Sequence, residues 1–453
     1  MGQSGVSAVG EVGGRISVAA RLDRLPILPF HYKMLGLIGA GMFFDSFDIY
    51  LAGSVLGALI QSHWSTLDEN ARFVSLTFVG MLIGAAGSGF LGDRLGRKFT
   101  YQFNLGIFGV ASLAAAAAPS MTWLIAARFF AGVGLGAEIV IGYGCMVEFV
   151  PPSHRGRWGA LLSFITNFGL FAATLLSWLI IPAFGWRPIF VIAGVGALIV
   201  LWLRRAIPES ARWLEQQGRF AEADAVVARF EAGAGPLPPP VTLTAVPDTP
   251  VSGLFGGGLG KRLLLGSLLL AVNGIAIYGF VAWVPTFLVQ HGMPIGRSLG
   301  QSVLMSLGGP AGAFVGFLLA DRIGRRASII GSSLIGAVVG VAFAYAPSQP
   351  VAVALGFFMF GLIYFLVAVT YAGYIPELFP TAVRMRGVGV CSTVGRLVTI
   401  VVPFGAVALF RFGGLPWVLG AVAASLLIQA VAVGLAGTET RGQSLEAIAS
   451  AAD

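Results

Sequence analysis

The chain has 453 residues, of which 57% are hydrophobic and only 11% charged, with a mean hydropathy of +0.86. A soluble domain carries about 25% charged residues, so this chain cannot cover a water-facing surface of ordinary polarity. A soluble enzyme is all but excluded, and so is a disordered chain, which needs low hydropathy and high charge. The net charge of +8 takes its meaning from where the basic residues lie.

A membrane-crossing helix needs about 20 apolar residues. Twelve such segments are predicted, at 34–60, 71–92, 99–119, 122–148, 158–181, 187–206, 262–289, 298–320, 327–346, 351–375, 388–410 and 414–436. The fold class is therefore an all-α membrane protein. Residues 1–32 read as a mobile cytoplasmic tail, 33–206 and 262–437 as two six-helix bundles, 207–261 as a cytoplasmic loop, and 438–453 as a second tail. The loop pairs one or two short surface helices with a Pro-rich linker. The first segment is too long and too far from the start to be a cleaved leader. With both termini in the cytoplasm, 22 of the 28 Lys and Arg fall inside. That asymmetry explains the basic charge without a nucleic-acid partner.

Five charged residues fall within the membrane, where charge is expensive and usually functional. Asp45 and Asp48, on segment 1, are three apart and share a face. Asp45 lies about 16 Å into its helix. Two nearby buried carboxylates favour a proton on at least one, which suits a proton carrier; a structural pair neutralised by Arg128 is the alternative. Arg128 and Glu138 lie on segment 4, about 15 Å apart in depth. Glu138 is read as a second proton site, a substrate contact or an ion-pair partner. Arg396, on segment 11, sits about 12 Å past the inner end in apolar surroundings. A guanidinium facing a cavity is a carboxylate clamp, planar and bidentate; the alternative is an ion pair with Glu138 or Asp45.

The two halves repeat. Gly92–Lys98, GDRLGRK, returns as ADRIGRR, with Asp93 and Asp321 228 apart; Glu148 and Glu377 are 229 apart, and Glu209 and Glu439 230 apart. The chain is thus a duplicated six-helix unit, and parallel repeats of this size are a transporter architecture. The offset maps Arg396 onto Asn167 and Asp45 onto Asn273, which predicts one central cavity also lined by Tyr278, Trp283 and Tyr371. Aromatic residues there offer stacking or hydroxyl groups, although packing is their commoner role.

These motifs resemble the major facilitator superfamily of secondary transporters, across nearly the whole chain. RFFAGVGLGAE (Arg128 to Glu138), the E-x-x-P…RGR turns, PESARWL and TETRGQSLEAI are similar to the branch of sugar porters, bacterial organic acid and nicotinate symporters, and organic anion and cation carriers. FFDSFD resembles the D-G-x-D pattern of aromatic acid:proton symporters, with Ser46 in place of Gly. The resemblance implies a cytoplasmic gate built from Gly92, Asp93, Arg94, Arg97, Glu148, Arg155, Asp321, Arg322, Arg325, Glu377 and Arg384. Asp93 and Asp321 are expected to pair with neighbouring Arg and cap a helix, and Glu148 and Glu377 to pair with Arg155 and Arg384. It also implies that Arg128 couples to an acid on helix 1.

The expected function is proton-coupled import of a small organic anion, an aromatic or heteroaromatic monocarboxylate such as nicotinate or a benzoate, by a monomer in a bacterial inner membrane. The partners are that anion, protons and the lipid bilayer. A sugar or polyol symporter, an organic cation carrier and a non-transporting receptor or scaffold are the rival readings. Cys145 and Cys391 lie far apart in apolar runs and the four His form no cluster, so neither disulfide framework, metal nor cofactor is expected. Gly132, Gly134 and Gly136 lie in an apolar helix with no preceding strand, which points to helix packing, not a nucleotide loop. No arrangement of catalytic residues suggests an enzyme.

Overall fold

The computed structural model describes residues 11–12, 15–16, 18–151, 154–239, 257–379 and 383–440. Twelve long helical rods run through it. In the first half they are α1 (Pro29–Gln61), α2 (Leu67–Leu95), α3 (Arg97–Ala116), α4 (Met121–Phe149), α5 (Arg155–Phe184) and α6 (Arg187–Leu203). In the second half, α7 runs through Gly257–Ala276, a π-helical turn Ile277–Val281 and Val284–Gln290. Rod α8 comprises Ile295–Ser306 and Gly308–Ile323, and α9 is Arg325–Ala344. Rod α10 runs through Gln349–Val369, a π-helical turn Thr370–Tyr374 and Ile375–Glu377; α11 is Arg384–Gly413 and α12 is Leu415–Ala436. Among the described residues, nine helical stretches are long and apolar enough to cross a membrane.

Local chemistry starts these helices where it should. Thr66 and Glu69 form a reciprocal capping box at the head of α2, and Ser120 accepts from the Trp123 amide at the head of α4. Gly96 and Gly324 break α2 from α3 and α8 from α9 at φ +96° and +99°, a region costly for any side chain.

The duplication is visible in packing. Helices α2 and α4, α1 and α5, and α3 and α6 pair in the first half; α8 and α10, α7 and α11, and α9 and α12 pair in the second. A Cβ on Gly80 or Gly84 would collide with the Phe129 or Val133 carbonyl of α4, and one on Gly308 or Gly312 with the Phe357 or Gly361 carbonyl of α10. Gly132 and Gly136 meet α2 in the same way, and Gly134 meets α3, so these glycines serve close helix approach. Each half has its own apolar core. The halves meet through α2 with α11, α5 with α8, and α1 with α7.

The face carrying Arg97, Lys98, Arg325 and Arg326 is termed the basic face here, and the opposite one the far face. Residues 18–28 are not the mobile tail expected from the sequence. Helix Val18–Asp23 packs on the short helices Ala211–Gln216 and Phe220–Glu231 through Val18, Leu22 and Leu25 against Trp213, Leu214, Val227 and Phe230. Arg21 bridges Asp224 and Glu231, each at 2.6 Å, Arg24 meets Glu231 at 2.7 Å, and Arg212 meets Asp23 at 2.6 Å. The apolar side of these segments leaves water only when they pack together, which fixes the strap.

Candidate functional site

A buried charge pair lies in the first half. Arg128 of α4 meets Asp48 of α1 at 2.5 Å, with both side chains at most 1% exposed. The guanidinium also lies 5.3 Å from the centre of the Phe73 ring of α2 and 5.6 Å from that of Phe190 of α6. Asp45 is equally buried, one turn away on α1. The sequence left open which acid meets Arg128; the structure selects Asp48. Glu138 has its side chain outside the described residues.

The second cluster sits among α1, α7, α10 and α11. Arg396 is half-buried, and its Nη1 is shielded from solvent with no hydrogen-bond partner. No described carboxylate lies within ion-pair distance, and the titratable groups that act on it are Tyr371 and Tyr278. Both tyrosines sit on the π-helical turns of α10 and α7. A π-helical turn is rare and is often found at functional sites. Tyr371 is 49% exposed, whereas the Tyr278 ring packs edge-on to Phe78 with centres 4.4 Å apart. Tyr50 of α1 and Tyr364 of α10 face each other at 6.3 Å.

The other predicted cavity residues divide. Asn167 is half-buried on α5. Asn273 is buried and donates to Thr370 Oγ1 at 2.7 Å, tying α7 to the start of the α10 π-helical turn. Trp283 belongs elsewhere: it is fully buried, stacked on Phe287, in an apolar cluster with Ala71, Val407 and Val418. Its role there is packing, and no surface is left for a substrate.

At the basic face, the structure brings out two residues that the sequence reading noticed only as a repeat. Glu209 accepts from the backbone amides of Arg97 (2.9 Å) and Lys98 (3.1 Å), capping α3. Glu439 accepts from those of Arg325 (2.9 Å) and Arg326 (3.1 Å), capping α9. A carboxylate suits the positive end of a helix. The third repeat pair was the signal that could have found them. Glu377 meets Arg325 at 3.1 Å and accepts from Thr440, so the expected partner Arg384 is not the one it takes; Arg384 Nε donates to the Phe379 carbonyl. Gly92 is buried, and a Cβ there would touch Arg97 Nη1. Arg94 and Arg322 are exposed. The side chains of Asp93, Glu148, Arg155 and Asp321 lie outside the described residues.

At the far face the halves are tied together. Arg411 of α11 meets Asp68 of α2 at 2.8 Å, and the Ile295 amide of α8 donates to Gln61 Oε1 of α1 at 2.6 Å. Deeper, Thr174 and Ser306 share a hydrogen bond of 2.8 Å, and a Cβ on Gly53 would strike the Ala282 carbonyl. At the basic face, the ion pairs between described side chains join residues 18–24 to the short helices that follow α6, or lie within the second half as Arg325 with Glu377 does.

Comparison with known proteins agrees with this architecture. The chain is 34% identical over 444 residues to the inner membrane metabolite transport protein YdjE of Escherichia coli (strain K12), covering 95% of this chain and 98% of that one. It is 32% identical to the niacin transporter NiaP of Acinetobacter baylyi, over 96% and 100% of the two chains, and 28% identical to the 4-hydroxybenzoate transporter PcaK of the same organism, over 93% of each. The inward-open structure of the xylose transporter XylE from Escherichia coli matches the fold with a TM-score of 0.73 at 18% identity, over 93% and 100% of the chains. The family model described as Major Facilitator Superfamily spans residues 38–403. Two equivalent six-helix halves, repeated capping glutamates and this match together make the chain a multi-pass membrane transporter that belongs to the Major Facilitator Superfamily.

Proposed function

We propose that this transporter is a proton-coupled symporter importing a small organic anion, an aromatic or heteroaromatic monocarboxylate such as nicotinate or a benzoate. The observation that carries the reading is Arg396, a half-buried guanidinium with a shielded Nη1 lacking a hydrogen-bond partner and with Tyr371 and Tyr278 as its titratable neighbours. A buried donor without a partner is costly, and a carboxylate relieves that cost with a charge-assisted, bidentate bond. The tyrosines supply aromatic faces for a flat ring. Relatives named for niacin and 4-hydroxybenzoate transport support this substrate class.

Proton coupling is placed on Asp48. A carboxylate this deeply buried survives as a charge only through Arg128, and adding a proton dissolves that attraction. Asp45 and Glu138 are secondary proton sites in this reading. Both termini and the basic face lie in the cytoplasm of a bacterial cell, following the distribution of Lys and Arg. In this reading the cavity is reached from the basic face, because the ties between the halves among the described residues gather at the far face. Rocking of 33–206 against 262–437 exchanges that opening, with the basic-face residues Gly92, Asp93, Arg94, Arg97, Glu148, Arg155, Asp321, Arg322, Arg325, Glu377 and Arg384 as the cytoplasmic gate. The protein works as a monomer.

The test is ligand-induced thermal stabilisation of purified protein against carboxylates, sugars and amines, repeated with Arg396→Ala and Arg396→Lys. A ligand at a hundred times its Kd stabilises by about 2.7 kcal/mol, a shift on the order of several degrees. Nicotinate or a benzoate is expected to give that shift in the native protein, none in Arg396→Ala and a reduced one in Arg396→Lys. Sugar or amine hits that survive Arg396→Ala would overturn the substrate class.

A further inference from the structure

Arg128 is poorly served by hydrogen bonds for so deep a charge. Its Nη1 donates to Asp48 Oδ2, while its Nε is buried with no hydrogen-bond partner. Phe73 and Phe190, themselves fully buried, stand over the guanidinium from two other helices. Asp48 Oδ1 is also buried and lacks a partner within hydrogen-bond geometry. The Ser112 hydroxyl of α3 faces it, and Asp45 is the other buried acid on the same helix. This arrangement poses a physical question. When Asp48 takes a proton, Arg128 loses its counter-charge yet stays in a water-poor site, where an unpaired cation is very costly.

We infer that Phe73 and Phe190 are the positioning residues of the proton-coupling step, an aromatic cradle that holds the Arg128 cation while Asp48 is protonated. This inference rests on the reading of Asp48 as the proton site. The negative face of an aromatic ring attracts a cation within about 6 Å of its centre, most strongly where water is absent. While Asp48 is charged, its carboxylate holds the guanidinium, and the attraction of the rings adds little to that ion pair. Once Asp48 is neutral, only the attraction to Arg128 remains. The rings therefore favour the protonated state. The proton adds to an Asp48 oxygen, the salt bridge becomes at most a hydrogen bond from the Arg128 cation to a neutral carboxylic acid, and no other bond changes.

The experiment uses the full-length protein in lipid nanodiscs. Infrared difference spectroscopy follows the protonated-carboxyl band during a pH titration, with Asp48→Asn identifying which band belongs to Asp48. Phe190 and Phe73 are replaced in turn by mono-, di- and trifluorinated phenylalanine, which drains the ring face of negative charge while barely changing shape, and by Leu. The expected result is a graded fall of the Asp48 midpoint, reaching about one pH unit for the trifluorinated ring, a tenfold rise in the proton activity required. A midpoint that ignores fluorination would overturn the cradle, whether or not Phe190→Leu folds. Proton-driven uptake that persists in Asp48→Asn would instead overturn the coupling reading itself, an outcome that the infrared midpoint keeps separate.

Discussion

Glu209 and Glu439 close helix N-termini that the chain leaves uncovered, at turns where Gly96 and Gly324 hold the backbone in a positive-φ conformation. Replacing either by Gln removes the charge that complements the helix end and weakens two backbone bonds, at a cost of about 1 kcal/mol each. Unfolding in a detergent series should show Glu209→Gln and Glu439→Gln destabilised alike, because the two sites are equivalent; native stability in both would deny the caps a structural role. The repeat arithmetic made these residues visible in the sequence, but not their job, since a cap is defined by a helix start that lies more than a hundred residues away. Arg396 was legible because a charge within an apolar run has few meanings. Asp48 was not separable from Asp45, because residues three apart share a helical face and only the rotation of α1 against α4 decides which one reaches Arg128. Phe73 and Phe190 were invisible for a different reason: with 34 Phe in the chain, ring identity says nothing about which faces meet a cation.

Among whole elements, the apolar runs located all twelve rods to within a few residues, because a membrane span must satisfy its backbone internally and be apolar along its length. The π-helical turns of α7 and α10 escaped, since one extra residue per turn leaves composition unchanged. The strap at residues 18–28 escaped as well. Its apolar residues acquire a partner only when the linker helices pack beside them. Glu231 lets that docking be tested by pH. Hydrogen bonding from Arg21, with a further contribution from Arg24, holds its carboxyl below the ordinary value of 4.5 against the opposing effect of burial. A depressed carboxyl contributes docking stability that is fully present above the undocked value and lost as pH falls through the docked one. Hydrogen exchange across Val18–Asp23 should therefore be slow at neutral pH and speed up only below about pH 4.5, beyond the intrinsic pH effect on exchange. Glu231→Gln should lose part of the protection already at neutral pH, and protection that is unchanged in that variant would show that apolar packing alone holds the strap.

At the scale of the molecule, each half has its own core, and the halves meet through α2 with α11, α5 with α8 and α1 with α7. Among the described residues, far-face contacts join them through one ion pair, one amide bond, close approaches of small residues and the apolar packing of Ala71 with Trp283, Phe287 and Val407, and in the proposed cycle this closure opens. The Asp68–Arg411 pair is half-exposed, with side chains 52% and 53% accessible, and such pairs contribute about 0–1 kcal/mol. Its removal should therefore bias the equilibrium and not abolish it. Neutralising it with Asp68→Asn should shift the population open at the far face by up to about fivefold, and Asp68→Lys, which sets like charges against each other, by more. Spin labels placed on the far-face ends of α2 and α11 would read the two populations as two distances. The double exchange Asp68→Arg with Arg411→Asp should bring the native distribution back, and raising salt should move the native protein toward Asp68→Asn, because exposed charges are screened over about 10 Å at 0.1 M. If Asp68→Lys leaves the distance distribution untouched, the small-residue contacts around Gly53 and Ala282 hold the far face shut without help from the charge pair.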